Sequence, residues 1–313
     1  MASNTVIVFG ATGRIGSATA CVAQEQGAKV VLGVRDITKP ILGLSPENEK
    51  EGGFQRVQAD LMNSESITEA VQKTGAKRAF IYIVHGNPDG MKSALVALKS
   101  AGIEFVVFLS SASIPEDMGT NPSPNLITQE HWQVELNLQE VFGAENYLAV
   151  RAGYFATNTL WWSELFAGDE LKLPYPEATY DWISPEDVSR VCGSALAKGP
   201  RHCCGLLRVY GPDVLSHREV AGTIAKTLGK TITITALEND EQCLRFQMEH
   251  AYVPDFIAMA MVNGFESRVA PGESDALYES PLHEEGVANI QRYGGKKATT
   301  CEEWVAANKE AFQ

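Results

Sequence analysis

Apolar residues in the first half of the chain alternate between short continuous runs and longer amphipathic stretches. The short runs predict buried strands at 5–9, 29–34, 55–58, 79–84, 104–109 and 147–151. The stretches between them predict helices at 17–26, 67–74, 91–101 and 127–142. Strands that alternate with helices are typical of a parallel sheet covered on both faces. The pattern therefore predicts an α/β fold built on a doubly wound, Rossmann-type parallel sheet.

The pattern becomes less regular after Gly153. Ser184 followed by Pro185 predicts the start of a helix, because serine is favoured at the N-cap and proline in the first turn. Further helices are predicted at 217–228 and 301–312, and the segment 238–263 predicts helical structure that lines or covers a site. We therefore expect a Rossmann domain over residues 1–153 and a smaller C-terminal α/β region over 154–313, whose strands can return to the main sheet.

Three glycines follow the first predicted strand at the spacing of a dinucleotide-binding turn. Gly10, Gly13 and Gly16 stand between a strand and a helix. In that position glycines allow a tight turn, close approach of a pyrophosphate and close packing of the helix on the sheet. The N-terminus of the helix then faces the phosphates. The sequence predicts that residues 1–153 bind a dinucleotide.

Positive charge beside this turn indicates which dinucleotide to expect. Arg35 follows the second strand, where NAD-preferring sites carry an acidic residue, and Arg14 lies within the turn. A guanidinium suits a 2′-phosphate, so NADP(H) is predicted, although Asp36 follows Arg35. Asp60 either borders the adenine or caps the next turn. The predicted cofactor site comprises Gly10, Thr12, Gly13, Arg14, Ile15, Gly16, Arg35, Asp60, Leu61 and Ser110.

Composition narrows the classes of partner. The 313 residues carry a formal charge of -13, which would repel a nucleic-acid backbone, and their 44% hydrophobic and 21% charged content is ordinary for a globular protein. Six cysteines without C-x-x-C spacing predict reduced thiols and no metal site. No apolar run approaches the ~18 residues of a membrane helix, and no signal peptide is evident. We expect a cytoplasmic monomer or homodimer that binds a small molecule.

An ordered set of motifs gives the chain a family resemblance. Between about residue 5 and residue 304 it resembles the NmrA-like family of atypical short-chain dehydrogenases/reductases, and residues 302–308 are similar to the tail of fungal ergot-alkaloid reductases. That family includes isoflavone-type, quinone and imine reductases as well as non-catalytic redox-sensing regulators, so the resemblance implies the fold and leaves the reaction open. The motifs are Gly10-Ala-Thr-Gly-Arg-Ile-Gly16, Val34-Arg35-Asp36, Arg151-Ala-Gly-Tyr-Phe-Ala-Thr-Asn158, Trp182-Ile-Ser-Pro-Glu-Asp-Val188 and Tyr210-Gly-Pro212.

The resemblance also shows a departure at the expected catalytic position. Short-chain dehydrogenases commonly use a Tyr-x-x-x-Lys pair, which we expect to be missing here, and reductases of this family often carry His-x-x-x-Lys on the helix after the fifth strand. This chain has His131 followed by Glu135. Three interpretations stay open: an inactive sensor, a reductase of an iminium that needs no strong acid, or an acid/base pair of His131 and Glu135 on one helix face. An ordinary i,i+4 pair is an equally simple explanation.

Aromatic residues after the sixth strand indicate the substrate cavity. Trp161 and Trp162 are adjacent, so on a helix only one of them can face the core and the other is expected to face a cavity. The leading hypothesis is an NADPH-dependent reductase of a planar, aromatic or alkaloid-like imine, enone or quinone in secondary metabolism. The alternatives are an NADP(H)-bound cyclase or Diels-Alderase-type enzyme and a non-catalytic NADP(H)-sensing regulator. The predicted substrate residues are Tyr82, Ser113, Trp132, Tyr154, Phe155, Asn158, Trp162 and Tyr175.

Overall fold

The computed structural model describes residues 4–116, 118–119, 123–269 and 278–313. Its main sheet contains seven parallel strands in the order β3-β2-β1-β4-β5-β6-β9, with helices on both faces. The predicted Rossmann fold is confirmed. The main-sheet strands are β1 Thr5–Phe9, β2 Lys29–Val34, β3 Gln55–Gln58, β4 Arg78–Tyr82, β5 Phe105–Ser111, β6 Tyr147–Ala152 and β9 Gly205–Val209.

The first strand shows why these segments are continuously apolar. All five residues of β1 are buried: Val6 and Val8 pack into the core on one face of the sheet, and Ile7 and Phe9 into the core on the other. Successive side chains of a strand point to opposite faces, so a strand covered on both sides has no polar position. The helices that cover the sheet before β6 are α1 Arg14–Glu25, α3 Ser64–Thr74, α4 Lys92–Ala101 and α5 Leu126–Phe142, whereas the short helix α2 Pro46–Glu51 has no buried residue.

The chain after residue 153 contributes to two cores. β9 pairs with β6, and α6 Pro185–Lys198 packs on α1 beneath the main sheet. The helix Pro281–Gly294 packs on α6 and β9, and other elements of this region build a separate aromatic core around Trp182 and Trp304. The division at residue 153 stays a prediction. The other elements are a 3₁₀ helix Ala156–Ala167, β7 Glu170–Leu173, β8 Thr179–Tyr180, β10 Leu215–Ser216, α7 His217–Leu228, β11 Thr233–Ala236, α8 Asp240–His250, α9 Asp255–Ser267, α10 Pro281–Gly294, α11 Cys301–Ala307 and a 3₁₀ turn Lys309–Phe312.

Helix ends differ from the sequence predictions where proline or capping intervenes. The segment predicted to be helical at 238–263 is two helices, because Pro254 stands at the N-cap of α9 and interrupts the chain after α8. Ser184 occupies the N-cap position of α6, but its hydroxyl donates to Glu186 instead of capping the backbone. Among the described helices, none has the length and apolar character needed to cross a membrane.

Candidate functional site

The glycine turn leaves backbone N–H groups at the start of α1 open to an anion. Gly10 adopts φ +69°, and a Cβ on Gly16 would lie 2.3 Å from the Gly10 carbonyl oxygen, so neither position tolerates a side chain without a shift. Gly13 is the N-cap of α1 and supplies no side chain to the first amides of that helix. Backbone N–H donors at the N-terminus of a helix attract anions. Thr12 and Ile15 lie within this loop and first turn.

The two arginines beside the turn are available to a ligand. Arg14 lies 3.9 Å from Glu186, and both side chains are about two-fifths exposed (39% and 46%), so solvent weakens this contact. Arg35 is exposed at the end of β2. The carboxylate of Asp36 bends back to accept hydrogen bonds from the Thr38 amide (2.8 Å) and hydroxyl (2.7 Å), which lower the pKa of Asp36.

Asp60 and Leu61 follow β3 and differ in what they offer. The carboxylate of Asp60 accepts a hydrogen bond from the Met62 amide at 3.0 Å, so it closes the next turn. Leu61 is buried in the core between the sheet and α3. Tyr82, at the end of β4, lies near both Arg35 and Asp60. Burial raises the pKa of Tyr82, the positive charge of Arg35 lowers it and the negative charge of Asp60 raises it.

A pocket of about 630 Å³ opens at the carboxyl ends of β4, β5 and β6. The ring of Tyr82 lies on its wall and also against Gly10, where an added Cβ would come within 2.4 Å of Tyr82 Cε1. The pocket therefore adjoins the glycine turn at the point where the order of strands reverses between β1 and β4, which is where ligands of open α/β sheets bind. The volume suits a small organic molecule.

One wall of the pocket comes from α9, which the sequence predicted only as covering some site. Ile257, Met261, Gly264 and Arg268 recur every three or four residues, so they share the face that closes the pocket. Their periodicity was the available signal. The residues that sequence reasoning missed are Leu109, Ser123, Asn125, Ile127, Thr128, Ala152, Gly153, Tyr180, Ile257, Ala260, Met261, Gly264, Phe265, Ser267 and Arg268.

Five of the eight predicted substrate residues line this pocket, namely Tyr82, Ser113, Tyr154, Phe155 and Asn158. The other three lie outside its lining. Trp162 is buried against Trp182 and His217, whereas its neighbour Trp161 faces the pocket. Tyr175 donates its hydroxyl hydrogen to Asp240 at 2.7 Å, and Trp132 is half-buried elsewhere on α5.

Glu135 is buried and its carboxylate is bound by neighbouring side chains. Arg151 on β6 binds its carboxylate with two hydrogen bonds, Nε to Oε1 at 3.0 Å and Nη2 to Oε2 at 2.8 Å. The hydroxyl of Ser110 donates to the same carboxylate at 2.5 Å. Both charged side chains are at most one-tenth exposed, and Glu135 is not among the pocket-lining residues. Glu135 on α5 is therefore held by Arg151 on β6 and by Ser110 on β5.

His131 lines the pocket in its neutral form. Its Nδ1 lies 2.8 Å from the Ile127 carbonyl oxygen, which can only accept, so Nδ1 carries the proton and Nε2 is an acceptor. Burial lowers the pKa of His131 to about 4. The predicted partnership with Glu135 would have raised this pKa, so the structure disagrees with that part of the prediction.

A second histidine, His85, lies beside His131 with the ring centroids 5.8 Å apart. Its Nδ1 is 2.6 Å from the carboxylate of Glu130, which also accepts a hydrogen bond from the Gly86 amide at 2.7 Å. A carboxylate on Nδ1 fixes the orientation of the imidazole ring. His85 and Glu130 therefore form a hydrogen-bonded pair beside His131, whereas the sequence analysis had paired His131 with Glu135.

The expectation that no Tyr-x-x-x-Lys pair exists is wrong as a statement about spacing. Tyr293 and Lys297 have that separation. However, Tyr293 lies at the end of α10, where its ring packs against His202 at a centroid distance of 5.5 Å, and neither Tyr293 nor Lys297 lines the pocket.

Two curated proteins have similar sequences over most of their length. The "nitrogen metabolite regulation-like protein bik4" of Gibberella fujikuroi is 33% identical over 96% of this chain and 95% of its own. "Festuclavine dehydrogenase easG" of Aspergillus fumigatus is 23% identical over 82% of this chain and 84% of its own.

The fold is shared with solved structures. The NADPH-dependent quinone oxidoreductase QOR2 of Escherichia coli, solved with NADPH, superposes with a TM-score of 0.73 at 17% identity and covers 97% of this chain and 99% of its own. The model of the NmrA-like family matches residues 2–305, which is nearly the whole chain. The protein therefore belongs to the NmrA-like family.

Proposed function

We propose that this protein is an NADPH-dependent reductase of a planar, partly apolar small molecule. The observation that carries the proposal is the pocket at the carboxyl ends of β4, β5 and β6, which adjoins the glycine turn through Tyr82 and contains two histidines. The resemblance to a quinone oxidoreductase solved with NADPH supports the cofactor.

The residues around the turn fit NADP(H) better than NAD. Gly10, Gly13 and Gly16 leave room for the pyrophosphate, and Arg14 and Arg35 offer two guanidinium groups to a 2′-phosphate. The neighbouring carboxylate, which would compete for a ribose hydroxyl, is already occupied by a threonine. Bound NADPH would supply the hydride.

His85 is the proposed proton donor. Its protonated form, held by the Glu130 carboxylate, would give the proton on Nε2 to the heteroatom that becomes basic when the substrate is reduced. Neutral His131 would accept a hydrogen bond from the substrate through Nε2. Glu135 takes no part in proton transfer in this proposal; with Arg151 it fixes the end of β5 through Ser110.

The substrate class is proposed from the pocket walls and the relatives. Tyr154 stacks on Tyr180 with a centroid distance of 4.0 Å, and Phe155 and Trp161 add further ring surface. Such walls favour a flat conjugated molecule. An imine, iminium, enone or quinone of secondary metabolism would fit, and the likeness to festuclavine dehydrogenase supports an alkaloid. We propose a cytoplasmic monomer or homodimer as the working form.

NADPH oxidation measured with a panel of imines, enones and quinones tests the proposal. Turnover with at least one class is expected, and His85→Gln should lower kcat by about 10²–10⁴-fold, the usual contribution of a positioned acid. His250→Gln is the matched control, since that histidine packs on Phe246 outside the pocket. Tight binding of both NADPH and NADP⁺ without any turnover would refute a reductase.

Two other functions have specific support. The name of the relative from Gibberella fujikuroi favours a regulator that senses NADP(H). A regulator would bind both NADPH and NADP⁺ and turn over no substrate. The unprotonated Nε2 of His131 favours a cyclase that moves a proton without redox. Product that forms equally well with NADP⁺ in place of NADPH would identify the cyclase.

A further inference from the structure

Arg268 lies where three pockets meet, at the C-terminal end of α9. It lines the main pocket together with two smaller ones, of about 410 and 100 Å³, that continue from it. Its guanidinium carbon is 5.5 Å from the ring centre of Tyr180 and 5.2 Å from that of Tyr278. The two rings hold the cation at this junction.

Within the part of the chain that the structure describes, no carboxylate pairs with Arg268. The two acids that line the smaller pockets have other partners. Glu116 pairs with Arg208. Asp181 accepts hydrogen bonds from the amides of Tyr154 and Gly211 at 3.0 and 2.9 Å. The charge of Arg268 therefore faces the cavity without a counter-ion among these residues.

The ring contacts and the end of α9 stabilise the positive charge of Arg268 but do not supply hydrogen-bond acceptors for its guanidinium. Aromatic faces and the C-terminus of α9 both favour a cation. Neither satisfies the five N–H donors of a guanidinium, which match a carboxylate in a fork. Arg268 is half-buried on the wall of an apolar pocket, and its N–H donors have no carboxylate partner among the described residues, so it is suited to an anionic ligand.

We propose that Arg268 binds the carboxylate of the substrate, so that the pocket selects planar conjugated acids over their neutral analogues. The inference deepens the proposed function, because it takes the pocket to be the substrate site. The cofactor phosphates are not the anion meant here, since no residue of the glycine turn lines any of the three pockets that contain Arg268.

Equilibrium binding to the NADP⁺-saturated protein tests this inference. The probes are 2-naphthoate and its methyl ester, which share the ring system and differ in charge. The acid is expected to bind about 10–100-fold more tightly, as a charge-assisted hydrogen bond allows. Arg268→Gln should abolish this preference, and Arg268→Lys should retain part of it, because an ammonium keeps the charge and loses the fork.

Arg245→Gln is the matched control, because Arg245 is exposed on α8 and pairs with Glu241. Its preference for the acid should equal that of the wild type. Equal affinities for acid and ester in the wild type would overturn the inference without any variant, and so would a preference that survives in Arg268→Gln. Binding does not require turnover. If the preference for the acid depends on Arg268 but no substrate of the imine, enone and quinone panel oxidises NADPH, the reductase is refuted and the anion site is still supported.

Discussion

The buried ion pair between Glu135 and Arg151 supports a quantitative prediction, because it decides whether Glu135 is structural or catalytic. Glu135→Gln removes the negative charge and leaves the arginine with a neutral partner in a site that is at most one-tenth exposed. Breaking a buried pair on one side costs about 3–5 kcal/mol. That range agrees with about 4 kcal/mol for unit charges 4 Å apart at an effective dielectric constant of 20.

Chemical unfolding at neutral pH would measure this loss. At about 2 °C per kcal/mol for a chain of this size, Tm should also fall by roughly 6–10 °C. Glu140→Gln on the same helix is the control: Glu140 pairs with Lys92 at the surface, and its loss should cost less than about 1 kcal/mol. The double variant Glu135→Gln, Arg151→Met should regain at least half of the lost stability, because both charges are gone.

The pH profile of turnover completes the assignment of Glu135. In the folded single variant the profile should keep its shape, because Glu135 does not line the pocket. A variant as stable as the wild type with a displaced profile would refute the reasoning and restore Glu135 as an acid/base group.

Three further outcomes follow from the same geometry. His131 has a folded pKa of about 4, below the ordinary value of 6.5, so the unfolded state binds an extra proton between these pH values and stability is lost as pH falls through this window, by about 1.4 kcal/mol per unit. His131→Gln should reduce the change in unfolding free energy between pH 6.5 and 5.5 by about 1 kcal/mol, because the unfolded histidine is half protonated at pH 6.5. An unchanged slope would contradict the burial argument. Arg35→Ala should raise KM for NADPH about 10–100-fold, because it removes a charge-assisted contact with the 2′-phosphate, and should leave KM for NADH unchanged. Equal effects on both cofactors would show that Arg35 does not bind the 2′-phosphate. Trp162→Ala should destabilise the fold by about 3–5 kcal/mol as measured by denaturant unfolding, whereas Trp161→Ala should raise KM for the substrate with a much smaller loss of stability; the reverse pattern would place the wrong tryptophan in the pocket.

The adjacent tryptophans show where local pattern stops being informative. Their order along the chain predicted that one faces a cavity, but not which one. The segment Ala156–Ala167 is a 3₁₀ helix, in which neighbours are 120° apart and the α-helical face assignment does not apply. Trp162 meets Trp182 and His217, whose positions depend on distant parts of the chain. The choice between Trp161 and Trp162 is therefore made by packing.

Position 135 shows that local spacing also fails to identify the partner of a buried charged residue. Family resemblance predicted a lysine, and spacing suggested His131 as the partner of the glutamate that stands there. The actual partner is Arg151, sixteen residues later on a neighbouring strand. We expect Glu135→Lys to destabilise the fold more than Glu135→Gln, since it would place two cations together in a buried site; unfolding free energies of the two variants would show it.

The sequence by itself determined six of the seven strands of the main sheet, the glycine turn and the family, but it did not predict β9. These features depend on interactions within a few residues, such as the side-chain period of a buried strand and the room that glycine leaves beside backbone. Only the tertiary structure decided which residues share the pocket: His85 after β4, His131 on α5 and the α9 face that ends in Arg268 come from separate elements. Their proximity results from the packing of helices on the sheet, which no local spacing encodes.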